Sequence, residues 1–404
     1  MNNIGQIERE TQNRIIKLFK EQLGYTYYGN WEEREKNSNI EESYLGNYLF
    51  NQGYSLTVFS KAIYEFKQVA DNFSDDLYVK NKKIYAMLRY GIHVKEDVGT
   101  NYTTVQLIDW KNWENNDFAI AEEVTIKGNR EKRPDIVIYV NGIALGVLEL
   151  KRGSVEISEG IRQNITNQQD SFIQSFFATV QFVMAGSDTK GLKYGTIGTK
   201  EKYFLNWKED ELDNSELKVD KYLKKICNKE RFLDVIYNCI LFDAGVKKLQ
   251  RPHQYFGLKA SQERIKKKEG GIIWHTQGSG KSIMMVMLAK WILENNANAT
   301  MQFFVDFYQI ATPYPVFYSS PVDKDWAISE MAKNGLKLRG EWSDERQLFD
   351  PASGGDWNGS YLFWFYKEDW SGEKGWDLYS VTRQDWVNHH IVHGIQNRIT
   401  GGRD

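Results

Sequence analysis

Cysteine is scarce in this chain: its 404 residues include two, Cys227 and Cys239. They stand twelve apart with no histidine beside either, which excludes a disulfide framework and a zinc site and leaves two buried thiols as the expectation. No run of eighteen apolar residues occurs, so a membrane-spanning helix is not expected. The opening MNNIGQIERETQN is polar, with no charged-then-apolar leader, and a cytoplasmic protein follows. Charge of one sign is lacking too. A net charge of -2 does not advertise a nucleic-acid binder. Basic character is local, in Lys127 to Arg133 (KGNREKR), Lys221 to Lys225 and Lys266 to Lys268, each a set of phosphate contacts or a solvated face. Internal repeats and low-complexity tracts are missing. The 41% hydrophobic and 14% aromatic content excludes a disordered chain, and the length has room for two or three domains.

The most informative positive feature is Pro134-Asp135 followed, thirteen residues on, by Glu149-Leu150-Lys151. Asp135 opens the apolar run Ile136 to Val140. Asn141-Gly142 follows, then a second run from Ile143 to Leu148, a pattern that predicts a β-hairpin. Side chains alternate along a strand, so Glu149 and Lys151 share a face. A two-residue loop at Asn141-Gly142 would pair Asp135 with Leu148 and turn it to the opposite face. A three-residue loop, Val140-Asn141-Gly142, would pair it with Val147 and place it with Glu149 and Lys151. The second register is the one expected, because it makes chemistry. Two carboxylates at a strand end suit Mg2+, which keeps several waters and takes one or two protein carboxylates. A lysine on the same face can orient water or steady a phosphate under attack. The bland alternative is a surface hairpin with an ordinary Glu-x-Lys pair.

A second motif lies near residue 270. Gly270 to Trp274 reads as a short strand, His275-Thr276-Gln277-Gly278-Ser279-Gly280-Lys281-Ser282 as a phosphate-binding loop, and IMMVMLAKWILEN as the helix it feeds. Gly278 and Gly280 let backbone N–H groups face phosphates, Ser279 lies between them, Lys281 would reach the β- and γ-phosphates, and Ser282 would meet Mg2+. The expected ligand is ATP. Upstream, Arg251-Pro252-His253-Gln254 opens a helical stretch, and Gln254 is spaced to read an adenine edge. The alternative for Gln254 is a helix-start turn.

No apolar run ending in Asp-Glu follows residue 300, so the carboxylates of a hydrolytic motor are not found. Composition changes there as well. Residues 301–404 hold seven of the thirteen tryptophans and four of the six prolines, with ten basic against fifteen acidic residues, about -5. GDWNGS and WSGEKGW read as turns between short aromatic strands. His389 and His393 are one helical turn apart beside His390, but nothing completes a metal set.

With both motifs in view, residues 1 to about 298 resemble the restriction (R, HsdR) subunit of type I restriction–modification enzymes. The stretches that carry the resemblance are ERETQNRIIKLFKEQLGYTYYGNW, VQLIDWKNWENNDFAIAEEVT, RPDIVIYVNGIALGVLELKR and GIIWHTQGSGKSIMMVMLAKWILEN. The resemblance implies an N-terminal nuclease of the PD-(D/E)xK type joined to RecA-like motor domains, acting on double-stranded DNA with methylation and specificity subunits. It implies Asp135 and Glu149 as metal ligands, Lys151 as the catalytic lysine, and Gln163 as the glutamine of the family's Q-x-x-x-Y motif. The tyrosine of that motif is Asn167 here. Glu10 would be a further acidic member. Gln254, Gly278, Ser279, Gly280, Lys281 and Ser282 match nucleotide-contacting positions.

The expected fold is α/β: a PD-(D/E)xK nuclease core with a mixed sheet flanked by helices over 1–220 and a helical connector over 221–250. The start of a RecA-like domain would occupy 251–300, and an unassigned tryptophan-rich tail 301–404. The expected function is a Mg2+-dependent DNA endonuclease in defence against foreign DNA, carrying an ATP-binding loop but a truncated motor. The rivals are a non-catalytic partner of the methylation and specificity subunits, and a non-functional product.

Overall fold

The computed structural model describes residues 3–97, 99, 101–207, 209, 217–268, 273 and 279–295, and the strand segments 337–342, 360–366, 377–382 and 394–395. It divides into two compact units, Met1–Tyr255 and Phe256–Asp404.

The first unit opens with α1 (Asn3–Glu21) and β1 (Thr26–Asn30). Three helices follow, α2 (Glu42–Asn51), α3 (Leu56–Ala70) and α4 (Leu77–Tyr90), then the hairpin of β2 (Ile92–Lys95) and β3 (Tyr102–Val105). The chain then runs through β4 (Phe118–Glu122), β5 (Ile136–Val140), β6 (Ile143–Lys151), α5 (Ile157–Asn167), β7 (Phe182–Ser187), β8 (Gly191–Gly195) and β9 (Leu205–Asn206). These strands form one seven-stranded sheet in the order β1-β4-β5-β6-β7-β8-β9. It is mixed: β1 lies parallel to β4 and β6 parallel to β7, while the other pairs are antiparallel. The expected mixed sheet flanked by helices is therefore present.

Strands β4 and β5 are buried along their whole length, which is why Phe118–Glu122 and Ile136–Val140 are near-continuous apolar runs and not alternating ones. On one face Val137, Tyr139, Ala144, Val147, Val183 and Ala185 pack with Ile157 and Ile161 of α5. On the other, Leu148 and Leu150 close around Gly186 together with Val219 of α6 (Lys218–Ile226). The parallel pair β6 and β7 is joined through α5, the crossover that such a pair requires. The C-terminal end of β6 is thereby held between β5 and β7 and covered by α5.

Residues 221–250 do not stay helical. Helices α6 and α7 (Lys229–Asn238) are followed by the hairpin of β10 (Ile240–Asp243) and β11 (Val246–Leu249), turned by Ala244 and Gly245 at φ 45° and 84°. Both cysteines are buried free thiols. Helix α8 (Pro252–Lys266) spans the boundary between the two units.

In the second unit, α9 (Lys281–Asn295) precedes an antiparallel sheet of β12 (Lys337–Trp342), β13 (Ser360–Tyr366), β14 (Asp377–Thr382) and β15 (Gly394–Ile395), in that order. The segments expected as turns in this region, and His389, His390 and His393, lie outside the described residues. No helix among the described residues is long and apolar enough to cross a membrane.

Candidate active site

The β5–β6 hairpin builds the site by a route that the sequence reading did not foresee. Asn141 and Gly142 both take left-handed conformations, φ 52° and 79°, and form a two-residue loop between the paired residues Val140 and Ile143. The expected three-residue loop is therefore wrong. A β-bulge corrects the parity: Tyr139 pairs with Ala144 but Ile138 pairs with Gly146, leaving Leu145 as an extra residue in β6. From Ile136↔Leu148 the register continues so that Asp135 stands opposite Glu149, not Val147. The face is the one expected, reached by a different register. Glycine is needed at 142, since a Cβ there would lie 2.8 Å from the Glu41 carbonyl and 2.8 Å from Tyr44 Cβ. Asn141 anchors the loop by donating through Nδ2 to the Leu107 carbonyl at 2.9 Å.

Glu149 is fully buried, at 0% exposure. Its Oε1 accepts from Asn167 Nδ2 at 3.5 Å, and its Oε2 has no hydrogen-bond partner among the described residues. Burial pushes its carboxyl well above the ordinary range, and the neighbouring Asp135 charge pushes it further. Lys151 pulls the other way, while a side-chain hydrogen bond with Asp135 and then the Glu123 charge add to the rise. Asp135 is half-buried and accepts from the Leu150 amide through Oδ2 at 2.6 Å. Its carbonyl accepts from the Glu123 amide at 3.0 Å and from Gln12 Nε2 at 3.3 Å. Lys151, also half-buried, donates from Nζ to the Leu150 carbonyl at 3.0 Å.

Helix α5 lies close against this end of β6 because position 160 is glycine. A Cβ at Gly160 would meet Ala185 Cβ at 3.3 Å, Lys151 Cγ at 3.4 Å and Glu149 Cβ at 3.6 Å. Gln163 sits half-buried on the same helix, with no hydrogen bond to Asp135, Glu149 or Lys151 among the described residues. Asp135, Glu149 and Lys151 thus come together, and Gln163 lies on α5, the helix whose Gly160 packs against Glu149 and Lys151. Glu10 is exposed and makes no ion pair with the described residues. From α1 it is Arg9 and Gln12 that reach the sheet, both bonding the buried Glu122 carboxylate, at 2.8 Å and 3.2 Å.

Two contributors escaped the sequence reading. Glu123 adopts φ 49°, a conformation rare outside glycine, and its carboxylate pairs with Arg133 at 2.8 Å. Gln12 ties α1 to the Asp135 backbone. Neither residue belongs to a motif, and only the folded arrangement brings them here.

No three His, Cys, Asp or Glu side chains converge as a ligand set among the described residues. The pair Asp135 and Glu149 still suits a hard dication, which takes one or two carboxylates and completes its shell with water. The buried, unpartnered Glu149 Oε2 is the acceptor such an ion would satisfy.

Residues 5–203 match the family model described as the type I restriction enzyme R protein N terminus. This half of the chain belongs to that family. Residues 253–312 match the SWI2/SNF2 ATPase model. The endonuclease subunit of the type I restriction enzyme HindI from Haemophilus influenzae is 30% identical over 244 residues, 54% of this chain and 23% of that protein. The subunit named putative type I restriction enzyme MjaVIIIP from Methanocaldococcus jannaschii is 33% identical over 229 residues, 52% of this chain and 22% of the relative. A second from that organism, MjaIXP, is 26% identical over 335 residues, covering 70% of this chain and 31% of its own length. The chain therefore spans under a third of the length of these relatives. The carboxylates and lysine of the β5–β6 hairpin lie inside the R-protein N-terminal match.

The nucleotide-site candidates divide. Gln254 is buried at the start of α8, and its Oε1 accepts from the Arg251 amide at 2.8 Å. A third helical residue reaching back to the capping residue is half of a capping box, the helix-start role that its sequence also allowed. Gly280, at φ 84°, leads into α9, whose first residues are Lys281 and Ser282. The amides of Ile283 and Met284 both donate to the Gly280 carbonyl, at 3.1 Å and 3.3 Å. Lys281 and Ser282 are thus the opening residues of a helix, the end suited to anions. Ser279 is described beside Gly280, whereas Gly278 and, apart from Ile273, the strand expected at 270–274 lie outside the described residues.

Proposed function

We propose that the first unit is a PD-(D/E)xK-type DNA endonuclease module of a type I restriction enzyme R subunit, dependent on Mg2+ and serving defence against foreign DNA. The supporting observation is the buried Glu149 carboxyl, with one oxygen unpartnered, beside Asp135 and two residues from Lys151 on the same strand face. Asp135 and Glu149 would hold the ion. When bound, Mg2+ acidifies water and offsets charge on the phosphate. Asp135 is held for this by the Leu150 amide, and its backbone by Glu123 and Gln12. Lys151 is poised at the rim, where its ammonium can meet a phosphate oxygen or orient the attacking water. Gln163 would position the strand from α5.

Gly278, Ser279, Gly280, Lys281 and Ser282 are the proposed ATP-binding residues, supported by the SWI2/SNF2 match and by a helix opening at Lys281. The partners are double-stranded DNA and the methylation and specificity subunits, and the location cytoplasmic. The test is incubation of the purified chain with supercoiled DNA and Mg2+. Conversion to nicked or linear product, lost in Asp135→Ala, supports the reading; equal cutting by a folded Asp135→Ala protein refutes it.

A further inference from the structure

The basic stretch Lys127 to Arg133 is the tip of the hairpin that carries Asp135. Beyond Glu122↔Ile136 the β4–β5 ladder continues: the Glu123 amide donates to the Asp135 carbonyl at 3.0 Å and the Val124 amide to the Pro134 carbonyl at 3.1 Å. Ile126 and Lys132 then exchange backbone hydrogen bonds, at 2.8 Å and 3.1 Å. The turn after α5 fixes the tip from the other side. Asn129 donates through its amide to the Phe172 carbonyl at 3.0 Å and through Nδ2 to the Asp170 carbonyl at 2.8 Å. A Cβ at Gly128 would lie 2.2 Å from the Phe172 carbonyl oxygen, so glycine is what lets the two backbones meet.

This braced tip gathers positive charge. Lys132 Nζ lies 4.7 Å and Arg130 Cζ 5.5 Å from the centre of the Phe172 ring. Arg133 is committed to the carboxylates of Glu123 and Glu32. Lys127, Arg130 and Lys132 make no ion pair with the described residues, although Glu131 lies among them in sequence; Lys127 and Arg130 are exposed and Lys132 half-buried. Two cations drawn onto one ring repel each other, and the ring face offsets only part of that, so an anion between them is favoured. In the second basic stretch, by contrast, Lys221 is buried and Lys225 pairs with Glu209 at 3.8 Å.

We propose that Lys127, Arg130 and Lys132 hold the phosphate backbone of the duplex beside the bond to be cut. At a strand rise of about 3.3 Å per residue, Lys132 and Arg130 stand at most about 10 and 17 Å along the hairpin from Asp135. Successive phosphates of one strand are about 3.4 Å apart along the duplex axis, so these contacts fall roughly three to five base pairs from the scissile phosphate. Backbone contacts of this kind set position and carry no sequence information. The proposal rests on the endonuclease reading and adds to it the side of the site on which DNA lies.

The experiment measures binding of the full chain to a fluorescent duplex of about 30 base pairs of arbitrary sequence, by anisotropy in excess chelator, from about 50 to about 200 mM NaCl. Wild type is compared with the triple variant Lys127→Gln/Arg130→Gln/Lys132→Gln. A second triple variant, Lys61→Gln/Lys67→Gln/Lys82→Gln, removes the same charge from α3 and α4. The loop variant should bind more weakly, and its slope of log affinity against log salt should become shallower by about one per charge removed, close to three in all. The α3–α4 variant should keep the wild-type slope, and so should Arg130→Lys/Lys132→Arg, which preserves charge. An unchanged slope in the loop variant, or an equal loss in the α3–α4 variant, overturns the proposal. The endonuclease reading survives that result if wild type still cuts supercoiled DNA with Mg2+. Wild type that binds no duplex and cuts none removes both.

Discussion

Replacing Glu149 by glutamine removes an ionisable group that the fold buries completely, and should make the metal-free protein more stable at neutral pH. Burial and the Asp135 charge raise the folded carboxyl well above its ordinary value of 4.5. The folded state therefore holds a proton that the unfolded chain has released, and stability falls as pH rises from about 4.5 toward the folded value. Each pH unit over which the folded carboxyl stays protonated costs about 1.4 kcal/mol. At pH 7 the ceiling on this cost is about 3 kcal/mol, or up to roughly 10 °C in Tm for a unit of this size. Glu149→Gln keeps the shape and removes the cost. Urea unfolding of both proteins at pH 5 and pH 8, with and without Mg2+, measures it. The variant should exceed the wild type at pH 8 without metal, match it more closely at pH 5, and gain nothing from Mg2+. The wild type should gain more from Mg2+ at pH 8 than at pH 5, since binding must displace a proton. A Glu149→Gln protein less stable than wild type at pH 8 without metal would refute the reasoning.

Other consequences are as specific. Gly142→Ala should destabilise the first unit by more than about 2 kcal/mol in urea titration, because the loop needs a left-handed residue and the added Cβ would press on Glu41 and Tyr44 backbone and side-chain atoms. Lys247, buried with Nζ donating to Asn81 Oδ1 at 2.7 Å and Gln181 Oε1 at 2.6 Å, is pulled well below the usual lysine range by burial. Its folded state binds fewer protons than the unfolded chain, so it should contribute a rise in stability with pH up to about 10.5, and Lys247→Met should flatten that rise in urea titrations from pH 6 to 10. Lys281→Ala should abolish binding of a fluorescent ATP analogue while leaving DNA cleavage without nucleotide unchanged.

How much of this was legible in the sequence depends on the range of the interaction. Ile136–Val140 and Ile143–Lys151 announced themselves as strands because β-branched runs flank Asn141-Gly142, and Glu149 and Lys151 share a face by strand period alone. The Leu145 bulge had no local signature: the residue is an ordinary buried leucine, and only the pairing of β5 with β6 reveals it as extra. The correct face for Asp135 was chosen on chemical grounds, while the loop length behind it was wrong. Contacts such as Gln12 to Asp135 and Asn167 to Glu149 join residues 123 and 18 apart, and depend on how α1 and α5 pack. The hairpin at Ile240–Leu249 was hidden because ILFDAGVKKL continues the apolar pattern of α7, and Ala244 occupies a left-handed turn position where glycine or asparagine would have flagged it. Gln254 shows the opposite case, a residue whose spacing admitted two roles and whose hydrogen bond in the structure serves the helix start.

The most direct trial of the central claim is Mg2+-dependent cleavage of supercoiled plasmid by purified wild type beside Lys151→Ala, with Mg2+ affinity measured on both. The wild type should cut, and Lys151→Ala should bind Mg2+ within a few-fold of wild type yet leave the plasmid intact. Cleavage by Lys151→Ala at the wild-type rate, or cleavage by wild type that persists in excess chelator, would contradict the account.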